Sequence, residues 1–167
     1  LKRIYLVRHA KSSWSNPELR DFDRPLNKRG KYDAPFMAGL LKEKGIHPEI
    51  IVSSPAKRTF ATAIFFAEVL GYPAENIIQD SNLYEAGVKD ILKVISLINE
   101  NIWNIMIFGH NPGLTDAANF ITGSHIDNIA TSGVVSCISD REHWNKISEK
   151  SCILEFFEYP KKYYEEK

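Results

Sequence analysis

The 167 residues carry 21 Lys plus Arg against 21 Asp plus Glu, and 44% hydrophobic against 25% charged side chains. That is the balance of an ordinary globular chain with a sizeable core. A net charge of zero argues against a nucleic-acid or polybasic membrane binder, and no run of 18 apolar residues offers a membrane helix.

In chain order, Ile4-Tyr5-Leu6-Val7 reads as a short buried strand. It is too short for a signal-peptide core, so a cytoplasmic location is expected. Residues 27–44 carry apolar side chains at helical spacing and stop at Gly45. Pro35 lies inside that stretch and predicts a kink, or a helix that begins later than Asn27. A second strand covers 49–53, and a helix over 56–70 stops at Gly71. Ile77-Ile78 offers a short extended piece, and 88–99 has the Ile91, Leu92, Val94, Ile95, Ile98 pattern of a helix. The strand over 104–108 ends in Gly109. The next helix covers 112–122, with Asn111 as its N-cap, Pro112 as its first residue and Gly123 as its stop. Two late strands, 132–139 and 152–157, are joined by a short linker and predict a hairpin. Cys137 and Cys152 read as buried strand residues, not as a disulfide or a metal pair.

Strands alternating with helices predict an α/β fold: a three-layer α/β/α sandwich with a mostly parallel, mixed sheet and helices on both faces. A single domain is expected over residues 1–159, with a polar tail over 160–167 that frays.

Open α/β sheets bind ligands at the carboxyl ends of their strands. The first strand ends in Arg8-His9, the second runs into Ser53-Ser54-Pro55-Ala56-Lys57-Arg58, and the third ends in Gly109-His110-Asn111-Pro112-Gly113. Two histidines and two arginines therefore converge on one edge. Forked guanidinium donors suit phosphate oxygens, and the helix opening at Pro112 adds its dipole. A neutral imidazole held by one nitrogen can attack phosphorus with the other. His47, His125 and His143 read as loop residues, and no spacing resembles a zinc site.

These motifs resemble the histidine phosphatase (phosphoglycerate mutase-like) superfamily, and within it the SixA-type phosphohistidine phosphatases. The resemblance rests on four ordered blocks: Leu6-Val7-Arg8-His9-Ala10-Lys11-Ser12, Asp21-Phe22-Asp23-Arg24-Pro25-Leu26-Asn27-Lys28-Arg29-Gly30, the run from Ser53 through Arg58 to Ala63 with Leu83-Tyr84-Glu85-Ala86, and Gly109-His110-Asn111-Pro112-Gly113-Leu114. It implies His9 as the nucleophile, with Arg8, Arg58 and His110 completing a phosphate pocket, and neither metal nor cofactor. Ala10 stands where many members have glycine, and Ser15 stands where mutase-like members place an asparagine. Two carboxylates compete as the general acid, Asp21 and Glu85. An indistinct acid favours phosphohistidine as the substrate, because imidazole is a weakly basic leaving group with a free pKa of about 6.5. The expected partner is thus a phosphorylated protein, with a small phosphate ester as the alternative and a non-catalytic phosphoryl-binding module as the second. A monomer is expected.

Overall fold

Side chains alternate across a strand, and both faces of the central strands are apolar, so the sheet must be covered on both sides. The computed structural model, which describes residues 1–164, shows how. Strand β1 (Lys2–Arg8) turns Ile4 and Leu6 to one face and Tyr5 and Val7 to the other. Strand β4 (Asn104–Gly109) repeats this with Ile105 and Ile107 against Met106 and Phe108. Helices α1 (Lys28–Glu43) and α2 (Lys57–Leu70) cover the second face through Met37, Leu41 and Phe66. Helices α3 (Val88–Ser96) and α4 (Gly113–Thr122) cover the first through Ile91, Ile95, Leu114 and Ile121.

The remaining strands are β2 (Ile50–Ser53), β3 (Ile78–Gln79), β5 (Val134–Ser139) and β6 (Ile153–Glu158), and the sheet order is β3-β2-β4-β1-β5-β6. The β1/β4, β2/β4 and β2/β3 pairs are parallel, whereas β5 runs antiparallel to β1 and β6. The expected sandwich, mixed sheet and terminal hairpin are present. The register matters most for function. Arg8 lies opposite Gly109, and Ser53 opposite Phe108, so the carboxyl ends of three parallel strands finish level with one another.

Several local expectations need correction. Helix α1 does not start late. Asn27 caps it by accepting the Gly30 amide at 2.8 Å, and the helix runs through Pro35. The carbonyl that Pro35 leaves unpaired belongs to Lys31, an exposed residue where water can replace the lost bond. Helix α3 ends at Ser96 because Leu97 and Ile98 bond three residues back, to Val94 and Ile95, and tighten the last turn. Asn111 is not the cap of α4; Pro112 holds that position, and Asn111 instead accepts from both the amide and the hydroxyl of Thr115. Residues 160–164 of the expected tail pack against the rest of the fold. Pro160–Lys162 forms a 3-10 turn, Tyr163 and Tyr164 pack on Phe36, and the Tyr164 hydroxyl donates to the buried Asp33. Glu158 pins this turn through ion pairs to Lys44 and Lys162. The rest of the tail lies outside the described residues. Cys137 and Cys152 are buried and free, with Cys152 just ahead of β6.

Candidate active site

His9 leaves the end of β1 with its backbone held on both sides. Its amide donates to the Gly109 carbonyl at 3.1 Å, and the Ser132 amide donates to the carbonyls of Arg8 and His9. Ser132 adopts a φ of 64°, a left-handed turn just ahead of β5 that brings its amide onto the end of β1. The next amide, that of Ala10, donates to Thr62 Oγ1 on α2 at 2.9 Å. The imidazole is therefore aimed by three elements.

The tautomer of His9 follows from its partners. Nδ1 lies 2.7 Å from the Ala10 carbonyl, which can only accept, so Nδ1 carries the proton. Nε2 keeps its lone pair and receives Arg58 Nε at 3.3 Å. Burial pushes the His9 pKa down to about 3, and the neighbouring His110, Arg58 and Arg8 add to the fall against the opposing Ala10 bond. At neutral pH the ring is uncharged, with a nucleophilic nitrogen facing the pocket's cations.

Arg58, 7% exposed, is the hub. Besides His9 it donates to the Asp21 carbonyl at 2.7 Å, to Asp21 Oδ2 at 3.0 Å, and to His110 Nδ1 at 3.3 Å. Since a guanidinium only donates, His110 accepts on Nδ1 and its proton sits on Nε2, 2.8 Å from Ser54 Oγ and 3.2 Å from Thr59 Oγ1. Burial, then Arg58, hold His110 down to about 4. The rings of His9 and His110 are 5.2 Å apart. Arg8 gives Nη1 to the Ile129 carbonyl, while its buried Nε has no partner among the described residues. Donors remain free to meet an anion.

Asp21 and Glu85 part company here. Asp21 lines the pocket, which has a volume of about 370 Å³ and is walled also by Arg8, His9, Arg58 and His110. Burial raises the Asp21 pKa, but hydrogen bonds from Tyr84 and Arg58 outweigh it, and the carboxyl ends below its ordinary value. Glu85 is exposed, has a φ of 57°, and is not among the pocket's lining residues. Its neighbour Tyr84 instead contacts two of the pocket's lining residues, Asp21 and His110. The Tyr84 hydroxyl donates to Asp21 Oδ2 at 2.7 Å, and its ring packs edge-on against His110. Burial and the bond to Asp21 push the phenol up to about 12.

The sequence places Arg8, His9, Arg58 and His110 on one edge and offers both Asp21 and Glu85 beside them; in the structure the first four and Asp21 line one pocket, and Glu85 does not. Sequence reasoning missed Tyr84, Ser54, Thr59, Thr62, Lys11 and Trp14. Thr62 was detectable, four residues beyond Arg58 on one helix face. Trp14 is 64% exposed at the rim, with the Arg24 guanidinium 3.8 Å from its ring centre. Among the described residues no three His, Cys, Asp or Glu side chains cluster as metal ligands would.

A sheet edge that presents two neutral imidazoles and two guanidinium groups is the kind of site that receives a tetrahedral oxyanion. The chain belongs to the histidine phosphatase superfamily (branch 1), whose family model matches residues 4–100. An uncharacterized chloroplastic protein of Arabidopsis thaliana is 37% identical over 133 residues, 75% of this chain and 61% of that one. Phosphoserine phosphatase 1 of Hydrogenobacter thermophilus is 44% identical over 69 residues, 40% of this chain and 31% of that one. This chain thus spans less than two-thirds of either relative. A solved structure assigned as the phosphohistidine phosphatase SixA of Agrobacterium tumefaciens superposes with a TM-score of 0.79 at 27% identity, covering 95% of this chain and 98% of that one. No helix among the described residues is long and apolar enough to cross a membrane, and the chloroplastic relative leaves the compartment open.

Proposed function

We propose that this protein is a phosphatase that takes a phosphoryl group from phosphohistidine on a protein, holds it on His9, and passes it to water. The observation that carries the reading is the neutral His9, with Nε2 unprotonated and turned to Arg58. In the first step the substrate ring, protonated from solvent on its other nitrogen, departs as neutral imidazole: Nε2 forms a bond to phosphorus as the substrate's phosphorus–nitrogen bond breaks, and the bond's electron pair stays on the departing nitrogen. In the second, water attacks phosphorus, the bond to Nε2 breaks, and phosphate leaves while the water's proton goes to a base. Arg8 and Arg58 neutralise the phosphoryl oxygens, and His110 donates or yields to them as its partners rearrange.

Asp21 favours an N-phosphorylated substrate. Held below its ordinary pKa, its carboxyl is ionised at neutral pH and is a poor donor to a strongly basic alkoxide. A phosphohistidine ring protonated on its other nitrogen leaves as neutral imidazole, a base with a pKa of about 6.5, and needs no acid at the breaking bond. Ionised Asp21 is also the pocket carboxylate that can take the water's proton in the second step, as a weak base, its lowered pKa being the counterpart of its bonds to Arg58 and Tyr84. Glu85, outside the pocket, is the weaker candidate for either role.

A second reading, hydrolysis of a small phosphate ester, draws support from the likeness to a phosphoserine phosphatase. Metal-free hydrolysis of a phosphohistidine peptide beside p-nitrophenyl phosphate separates the two. The peptide is expected to turn over faster, and His9→Ala to abolish both reactions while leaving the fold intact. A fast ester reaction with an inert peptide moves the assignment to the small-molecule phosphatase. Tight phosphate or tungstate binding without turnover of either leaves a binding module, and wild-type activity in His9→Ala sinks the mechanism.

A further inference from the structure

A second cavity, of about 520 Å³, adjoins the catalytic pocket and shares Arg8, Lys11 and Thr131 with it. Its charge is lopsided. Arg8, Lys11, Arg29 and Lys161 line it, and Asp33 is the one carboxylate among its lining residues. That carboxylate is buried, accepts the Tyr164 hydroxyl and pairs with Arg29, 3.3 Å from its Nε, so the two compensate each other and Arg8, Lys11 and Lys161 supply the groove's net positive charge. Neither Lys11 nor Lys161 makes an ion pair among the described residues. The far wall is built, not adventitious. The Glu158 pairs to Lys44 and Lys162 secure the turn that carries Lys161, and Arg29 lies 4.1 Å over the Tyr164 ring. Asp21, the pocket's own acid, lines the catalytic pocket but not this groove.

We infer that this groove binds acidic side chains that flank the phosphorylated residue of a protein substrate. The inference rests on the phosphoprotein reading above and adds a sequence preference to it. The phosphoryl group would sit between Arg8 and Arg58, and the acidic flank would extend past Lys11 toward Lys161, away from Asp21. The size argues for a peptide segment over a single small anion. The groove exceeds the catalytic pocket itself, and a lone carboxylate or phosphate would leave most of it to water.

The test uses the full chain and fluorescence anisotropy, so that it does not depend on turnover. A labelled, unphosphorylated peptide with three or four acidic residues is compared with a neutral peptide of the same length. At low salt the acidic peptide is expected to bind about tenfold more tightly, since each exposed pair supplies a factor of up to about five. That advantage should shrink about fivefold in Lys161→Glu, fade as ionic strength rises, and survive the control Lys93→Glu on α3. Equal binding of the two peptides, or an advantage that Lys161→Glu leaves untouched, overturns the inference. So does displacement of the acidic peptide by a small dicarboxylate at equal concentration, which would make the groove a small-molecule subsite. Turnover of acid-flanked and neutral phosphohistidine peptides separates the two claims. If both are inert while the acidic peptide still binds selectively, the substrate reading fails and the groove stands. If both are hydrolysed equally well and selective binding is absent, the groove fails and the substrate reading stands.

Discussion

Acid should destabilise the fold through the two pocket histidines before it reaches ordinary carboxylates. Folding holds His9 down to about 3 and His110 down to about 4, chiefly by burial, whereas an unfolded histidine titrates near 6.5. Below that value the unfolded chain binds protons that the folded chain refuses, so stability is complete above about pH 6.5 and falls as the pH drops. Both folded values lie below 5, so the loss down to pH 5 is set by the unfolded value alone. It comes to about 2 kcal/mol for each histidine, or about 4 kcal/mol for the pair. Urea denaturation at pH 8, 6 and 5, in buffers free of phosphate, measures it. His9→Ala should remove about half of the pH-dependent loss. Wild type and His9→Ala with the same pH slope would refute the reasoning, as would an NMR titration of His9 with a midpoint near 6.5. The functional counterpart is that protonation of His9 in the free enzyme should not produce an acid limb near pH 6.5 in kcat/KM.

Arg58→Lys keeps a charge but loses the fork that reaches His9, His110 and Asp21 at once, and kcat/KM is expected to fall by about 100-fold or more with the fold retained, as steady-state kinetics and circular dichroism would reveal. Tyr84→Phe removes a hydrogen bond that holds the Asp21 pKa down, so that pKa should rise; any acid limb that Asp21 sets in the rate profile should move to higher pH, and an unmoved limb would detach Asp21 from the rate. Gly113→Ala would put a methyl group 1.9 Å from the Ala86 carbonyl, so α4 or the loop carrying Tyr84 must shift; thermal denaturation should show a loss of about 1–3 kcal/mol.

Much of this molecule was legible in its sequence because the signals were local and periodic. The apolar runs that became β1, β2 and β4 sit where expected, and the polar residues directly after them became the site. That follows from a general property of parallel sheets: strand ends finish together, so residues after different strands meet however far apart they lie in the chain. His9 and His110 are the clearest case, brought to 5.2 Å by a register that sets Arg8 opposite Gly109. Helix ends were less legible, because the last turn of α3 and the cap of α4 depend on bonds that periodicity does not encode. What tertiary structure alone decided is the state and reach of the side chains. Sequence offered Asp21 and Glu85 as equals; the fold put Asp21 between Arg58 and Tyr84 and left Glu85 outside. It also lowered both histidines far below their ordinary pKa and docked residues 160–164 as the wall of a basic groove. Burial and charge proximity are properties of neighbours distant in the chain, so no local pattern could have carried them.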